Sequence, residues 1–410
     1  MSLAYTAVGV RQVTKAQPSA ASTSNFLTPS VWNKILHEKV VNKLFWKSMI
    51  GSDKGGEGSI EQDLTNYPIV EKTDLKKDNG DTIVMGLVKS PFTYDETTIT
   101  RMNYGEVGDY QLVDNESAPT YYYLHVPIAL YRLAIASMNG ITKQRSPYDQ
   151  KKVATDMVSR EMAKWLDDGI FWTFYGGYSP NVWRQQGLTG VAHPNNIYGK
   201  NKTALADVDA NDVLDADMLE RLGTFTKVNN MSPVVIDGVE TFGLIVHPYG
   251  MKTLRADSLV MDAWQLALPS GKANPIFTRA GNQRYANIYV MEDNRISYAK
   301  DYAVAASSGD IGTVNDATMG SGITASDVRM NILIGANAVA RGWGQETTMA
   351  SRKEDDYGLI NGVAGIVIYG DRRADYALAQ SATTTTYNQS SALVYTHSVN
   401  PNSNVSSIGM

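Results

Sequence analysis

Two adjacent carboxylates, Asp167-Asp168, sit inside an apolar-periodic run. A carboxyl pair can divide general-acid and general-base work when both groups face one substrate. Neighbouring residues of a helix point in different directions, so this pair reads instead as a helix end in solvent. Asp207-x-Asp209-x-Asn211 opens like a calcium loop, but the sixth position holds Asp212 in place of Gly and the twelfth Met218 in place of Glu. The ordinary reading is a solvated acidic loop ahead of a helix. The histidines His37, His125, His193, His247 and His397 are scattered, with no pair at metal-binding helical spacing. Tyr121 to Tyr123 could stack on bases, but on a strand their faces alternate, which makes them core and rim. Gly51 to Gly58 lacks the lysine of a phosphate loop, and Gly271-Lys272 is followed by Ala273. No Gly-x-Ser-x-Gly elbow and no strand–GxGxxG–helix unit is present. The sequence therefore assigns no catalytic residue, no cofactor and no metal site.

The elements that would position such groups read as follows. Residues 1–27 form an Ala-, Ser- and Thr-rich arm charged only at Arg11 and Lys15. Thr28-Pro29 opens a predicted helix to about residue 50, with Trp32, Leu36, Val40 and Leu44 on one face and Lys34, Lys39, Lys43 and Lys47 on the other. Strands are predicted near Ile60, over Thr82 to Val88, and as one stretch from Tyr121 to Ile135. The polar excursion between the last two makes a two-stranded ribbon, which is marginal alone in water and needs covering. Ser146-Pro147-Tyr148-Asp149 starts a helix to about Tyr175, carrying Val158, Met162, Trp165 and Trp172 on one side and stopped by Gly176-Gly177. Asp215 caps a helix to about Val228. Strands follow at Val234 to Gly238, Phe242 to Val246, Asn287 to Met291, Ile332 to Ala336 and Gly362 to Gly370, with a short helix after His247-Pro248. Residues 305–327 read as a surface loop. Residues 381–410 lack any Asp, Glu, Lys or Arg and carry one β-prone patch, Leu393 to Tyr395.

Composition bounds the class. The 410 residues include 37 basic and 42 acidic side chains, a net charge of −5 that disfavours a dedicated nucleic-acid binder. The hydrophobic share of 43% supports a sizeable core and excludes a wholly disordered chain. The absence of cysteine excludes disulfides, thiolate chemistry and thiolate-ligated metals. No apolar run reaches the length of a membrane span, and no secretory signal is visible.

In order and spacing, several segments resemble the major capsid protein of tailed bacteriophages, in the podovirus-type branch of the Hong Kong 97 fold. They are Thr73-Asp74-Leu75-Lys76 with Gly80-Asp81-Thr82-Ile83, then Gln144-Arg145-Ser146-Pro147-Tyr148, then Gly187-Leu188. The most specific is Pro233 to Gly238 followed by Leu244-Ile245-Val246-His247-Pro248 and Leu254-Arg255-Ala256-Asp257. Asn274-Pro275-Ile276-Phe277, Leu333 to Ala338 and Gly362 to Gly370 complete the series. The likeness spans about residues 28–375 and departs near 93–118, at 305–327 and in the tail.

The resemblance implies an α+β chain with an N-terminal arm and helix (1–50), an extended β-hairpin loop with flanking strands (51–139), and a peripheral domain (140–212) built on a spine helix at 146–175. It further implies an axial domain (213–345), return strands to the peripheral domain (346–380) and a polar C-terminal tail (381–410). It implies a non-enzymatic shell protein that assembles with itself as hexamers and pentamers around double-stranded DNA, contacted non-specifically. Expected partners are a portal, a scaffolding protein and a decoration protein, with no membrane. The location is the virion, after assembly in the host cytoplasm. Some relatives crosslink a loop lysine to an asparagine of a neighbour; Lys89, the only lysine between 81 and 142, would be the sole loop candidate. The 27-residue arm is short and poorly charged beside a cleaved scaffold segment, which points to a separate scaffold or none. An encapsulin-type nanocompartment shell and a soluble enzyme with an unrecognised site stand as the alternative readings.

Overall fold

The computed structural model describes residues 44–52, 66–73, 80–89, 120–136, 150–188, 190–236, 238–267, 284–299, 303–304, 311–312, 323, 325–352, 362–378 and 386–399. In chain order the strands are β1 (Ile50–Ser52), β2 (Ile69–Lys72), β3 (Thr82–Lys89), β4 (Thr120–Pro127), β5 (Ala129–Ala136), β6 (Asn196–Tyr198), β7 (Val234–Ile236), β8 (Val239–Val246), β9 (Arg284–Tyr285), β10 (Ile288–Glu292), β11 (Ala303–Val304), β12 (Ile311–Gly312), β13 (Val328–Ile334), β14 (Val339–Arg352), β15 (Gly362–Arg373), β16 (Tyr376–Leu378), β17 (Thr386–Tyr387) and β18 (Ser391–His397). The α-helices are α1 (Gln150–Gly176), α2 (Pro180–Gln186), α3 (Ala216–Val228), α4 (Pro248–Ala256) and α5 (Ser258–Ala267).

The helix α1 is the organising element. Val158, Met162, Leu166, Ile170 and Phe174 recur every four residues and are all buried, the stripe of a helix laid on a core. Its end follows from glycine: Gly177 adopts φ 86° and its N–H donates to the Thr173 carbonyl. The first half of α1 packs on a five-stranded sheet of order β1-β2-β14-β15-β5. There Val158 and Met162 meet Val363, Val367 and Tyr369. Gly365 allows this approach, since a Cβ there would lie 2.1 Å from the Met162 sulfur.

The second half of α1 reaches a different sheet, of order β6-β18-β13-β8-β10-β9, with β7 on β8. One face of that sheet, including Leu244, Val246, Val290, Leu333 and Val394, is covered by Leu219, Leu222, Met251, Leu254 and Val260 of α3 to α5. The other face, including Ile245, Ile332 and Leu393, shares a core with Trp46, Phe171 and Phe174. A continuous apolar core thus joins the two sheets at the end of α1.

Several expectations are met locally. Asp215 caps α3, accepting the Met218 N–H, and a short helix, α4, follows His247-Pro248; that His247 itself caps it is seen only in the structure. Three readings change and one, the β-prone patch of the tail, is extended. The stretch Tyr121 to Ile135 is two strands in two sheets, because the chain turns at Ile128 after Pro127. The helix expected to about residue 50 lies largely outside the described residues, and its end is a 3-10 turn, Phe45–Met49, leading into β1. The patch Leu393 to Tyr395 belongs to β18, which lies between β13 and β6 and is buried. Asp167-Asp168 lies within α1, with Asp167 buried, because residues 44–52 and the chain after β10 cover this part of the helix. The strand expected near Ile60 and most of the loop 305–327 lie outside the described residues.

Candidate inter-subunit surface

β3 and β4 form an antiparallel ribbon in register from Thr82 opposite Pro127 to Lys89 opposite Thr120. Its two faces differ in kind. Ile83, Met85, Leu124 and Val126 are buried against Val70, Ala340, Ala374 and Tyr376. On the opposite face, Val84 is 54% exposed and Tyr121 45% exposed, with Tyr123 and His125 between them. Tyr123 and His125 meet edge to face at 4.9 Å. The triple tyrosine accordingly splits: Tyr122 turns to the core side, Tyr121 and Tyr123 to the outer face.

The ribbon is held by its own body along its length. β16 pairs with β4 at Tyr122 and Tyr123. Arg372 donates to the His125 carbonyl and stacks over Tyr178 at 5.1 Å. Glycines form the seat: a Cβ at Gly342 would lie 2.8 Å from Ile83, one at Gly344 2.8 Å from Ile128, and one at Gly370 1.9 Å from the Pro127 carbonyl oxygen. With its inner face seated, the ribbon must turn its outer face away from the body. The expectation that the ribbon needs covering is therefore met from one side within the chain, while no described residue is packed over Val84 and Tyr121 on the outer side to bury them. The outer edge of β3 pairs with no strand among the described residues. Lys89 ends β3 opposite Thr120.

The remaining candidate groups are structural. Asp167 accepts the Phe45 N–H at 2.7 Å, and Arg295 Nη1 lies 3.4 Å from Asp167 and 3.3 Å from Asp168. Arg295 also pairs with Asp293 at 2.9 Å and lies over the Phe45 and Phe171 rings. Burial raises both carboxyls above the usual range, against the pull of Arg295. The pair is thus an ionic crosslink between α1, the segment before β1 and the chain after β10. No local pattern marks it, since Arg295 is remote from Asp167 along the chain.

The acidic loop is likewise internally satisfied. Asp212 accepts the Lys200 and Asp209 N–H groups, and Asp209 accepts from Asn211 N–H and Lys202. No group of three or more His, Asp or Glu among the described residues is placed to hold a metal ion. His193 is buried, 3.0 Å from the Ser391 hydroxyl, with burial and Arg373 holding its pKa well below the ordinary value. His125 is exposed on the ribbon, His397 closes β18, and His37 lies outside the described residues. No helix among the described residues is long and apolar enough to cross a membrane.

A family model described as phage capsid protein matches residues 20–400. The chain is similar in structure to the capsid of Ralstonia phage GP4, with a TM-score of 0.65 and 17% identity over 86% of this chain and 95% of that one. It is similar to the cyanophage Pam1 capsid asymmetric unit, with a TM-score of 0.59 and 19% identity over 85% and 95%. A third likeness is to the acid-stable capsid of Helicobacter pylori bacteriophage KHP30, with a TM-score of 0.58 and 12% identity over 87% and 91%. No curated protein matches the chain.

Proposed function

Since the chain belongs to the phage capsid protein family, we propose that it builds, from many copies of itself, an icosahedral shell of the Hong Kong 97 type around double-stranded DNA. In this reading hexamers and pentamers are the building units. Residues 213–345, with the helix-covered sheet of β8, β10 and β13, serve as the axial domain; α1 is the spine of the peripheral domain; and 78–138 is the extended loop. The observation that carries the reading is the ribbon β3–β4, seated on one face and apolar on the other. A second copy would cover that outer face, and repetition around a closed shell turns modest contacts into a stable container through multivalency. A net charge of −5 suits a wall that releases its DNA. A scaffolding protein, a portal and a decoration protein are the partners expected in the host cytoplasm, where the virion is assembled.

Sedimentation of the expressed chain, with negative-stain microscopy of each fraction, tests this. Closed shells or rings of five and six are expected, alone or with the scaffold co-expressed. A small fixed oligomer under both conditions would overturn the reading. Shells that instead take up a cellular protein cargo would favour a nanocompartment.

A further inference from the structure

β7 is a three-residue strand at the margin of the larger sheet. It pairs with β8 through Val234–Thr241, Val235–Glu240 and Ile236–Val239, and no strand among the described residues pairs with its other edge. In an antiparallel pair, alternate residues turn both main-chain groups outward. Here that residue is Val235. Its N–H donates to Asn66 Oδ1 at 2.7 Å, and its carbonyl accepts from Asn66 Nδ2 at 2.7 Å. One carboxamide thus makes the two hydrogen bonds that an added strand would make. Asn66 is itself held in place, because the adjoining Tyr67 and Pro68 carbonyls accept from the Asn337 and Ala338 N–H groups. The surroundings are apolar and open: Val235, Val239 and Tyr67 are all exposed. An edge strand with apolar neighbours invites pairing with another chain, and proteins block such edges by specific devices.

We infer that Asn66 is an edge guard: it closes β7 against strand addition by a second copy of this chain and so keeps association on the intended surfaces. The role differs from packing, since a carboxamide that mimics a strand occupies the pairing groups without extending the sheet. Crowded subunits make such a guard useful, because growth from an open edge propagates without closure.

The test compares the parent chain with Asn66→Ala, Asn66→Asp and the double variant Asn66→Ala with Val235→Lys. Asn66→Ala frees both main-chain groups of Val235. The concentration at which non-shell material pellets, with an intermolecular β-sheet band in the infrared, is expected to fall about tenfold, as two hydrogen bonds to a new partner become available. The added lysine places a charge on the same edge and should restore the parent's solubility. Asn66→Asp keeps one hydrogen bond and adds a charge, so it should stay soluble. The inference is overturned if Asn66→Ala pellets no earlier than the parent, if the lysine fails to rescue it, or if Asn66→Asp pellets as readily as Asn66→Ala. A parent chain that forms no shells would count against the proposed function and leave this comparison intact.

Discussion

Arg341 and Asp371 stand directly opposite each other on β14 and β15, both fully buried, joined by two parallel hydrogen bonds of 2.7 and 3.0 Å. Arg341 also donates to the Leu166 carbonyl on α1 at 3.1 Å, and the main-chain carbonyl of Asp371 accepts from the N–H of Ser179, which adjoins α2. The pair therefore fixes the five-stranded sheet, α1 and α2 in one relation. Arg373 repeats the device at the end of α1. It pairs with Asp375 and donates to the Phe174, Val191 and Ala192 carbonyls, a cation placed where the helix dipole favours it. With Arg295, three arginines pin the same helix to its surroundings.

Removing one partner of such a pair leaves a buried charge without compensation. Arg341→Met is expected to destabilise the subunit by about 3–5 kcal/mol, whereas Arg341→Met combined with Asp371→Leu should recover most of that loss. Denaturant unfolding of the three chains measures both quantities. Equal losses in the single and double variants would mean that the hydrogen bonds to the surrounding backbone, not the charge pairing, hold the site together.

His247 sets a pH dependence. Its Nδ1 accepts the Tyr249 N–H at 3.2 Å as the cap of α4. Burial and the Arg329 charge depress its pKa to about 4, while Asp293 pulls weakly the other way. The unfolded chain carries this group near 6.5. Between those values the unfolded state binds more protons, so stability falls as pH drops from about 6.5 to about 4, by an amount on the order of 3 kcal/mol. Asp167 acts with the opposite sign: its raised pKa lets the folded state take the proton first and gain stability as pH falls. His247→Asn keeps a capping acceptor and removes the titration. Its stability should therefore decline less steeply over that window, and a slope equal to the parent's would rule out His247 as the source.

If a second copy covers the outer face of the ribbon, that face separates folding from association. Val84→Asp and Tyr121→Asp alter exposed side chains on a seated strand pair, so subunit stability should change by less than about 0.5–1 kcal/mol. If a second copy covers that face, the same carboxylates would be buried unpaired at each contact, which is costly. Shell yield by sedimentation should fall at least about tenfold while the unfolding midpoint stays near the parent's. Normal shells from both variants would place the contact elsewhere.

Much of this organisation can be read along the chain where the signal is local. The Val158 and Met162 spacing, the Asp215 cap and the His247-Pro248 helix start each act through neighbours in sequence, whereas Trp165 and Trp172, read on the same side, are only half-buried and Leu166, Ile170 and Phe174 continue the buried stripe. The misread features depend on distant partners. Asp167 carries no local mark of burial, because Phe45 and Arg295 reach it only in the folded chain. Pro127 was a usable sign that the stretch through Ile135 breaks, since proline cannot donate within a ladder. For β18 the composition misleads. Ser391 and Thr396 look like surface residues, yet Ser391 lies in hydrogen-bonding contact with His193 and Asn388, and Thr396 with Asn331. Polar side chains so paired can be buried without penalty.

The placement of β18 yields the last prediction. It faces β13 at every position from Ser391 opposite Ile334 to His397 opposite Val328, and pairs on its other side with β6. Ala392 and Val394 enter the core under α3 to α5, while Leu393 and Tyr395 enter the core shared with α1. A chain ending after Gln389 would lose these side chains and leave the buried strand β13 with an open edge. Burial of each large apolar side chain contributes about 1.5–3 kcal/mol, against a total stability of about 5–15 kcal/mol. That chain should yield no protease-resistant subunit. A chain ending after Val399 keeps the whole strand and should fold and resist protease as the parent does. Because β18 follows every other strand of the larger sheet in chain order, that sheet can close only after residues 391–397 are made, and its most distant contacts form late. A resistant, soluble product from the shorter chain would show that the sheet closes without β18.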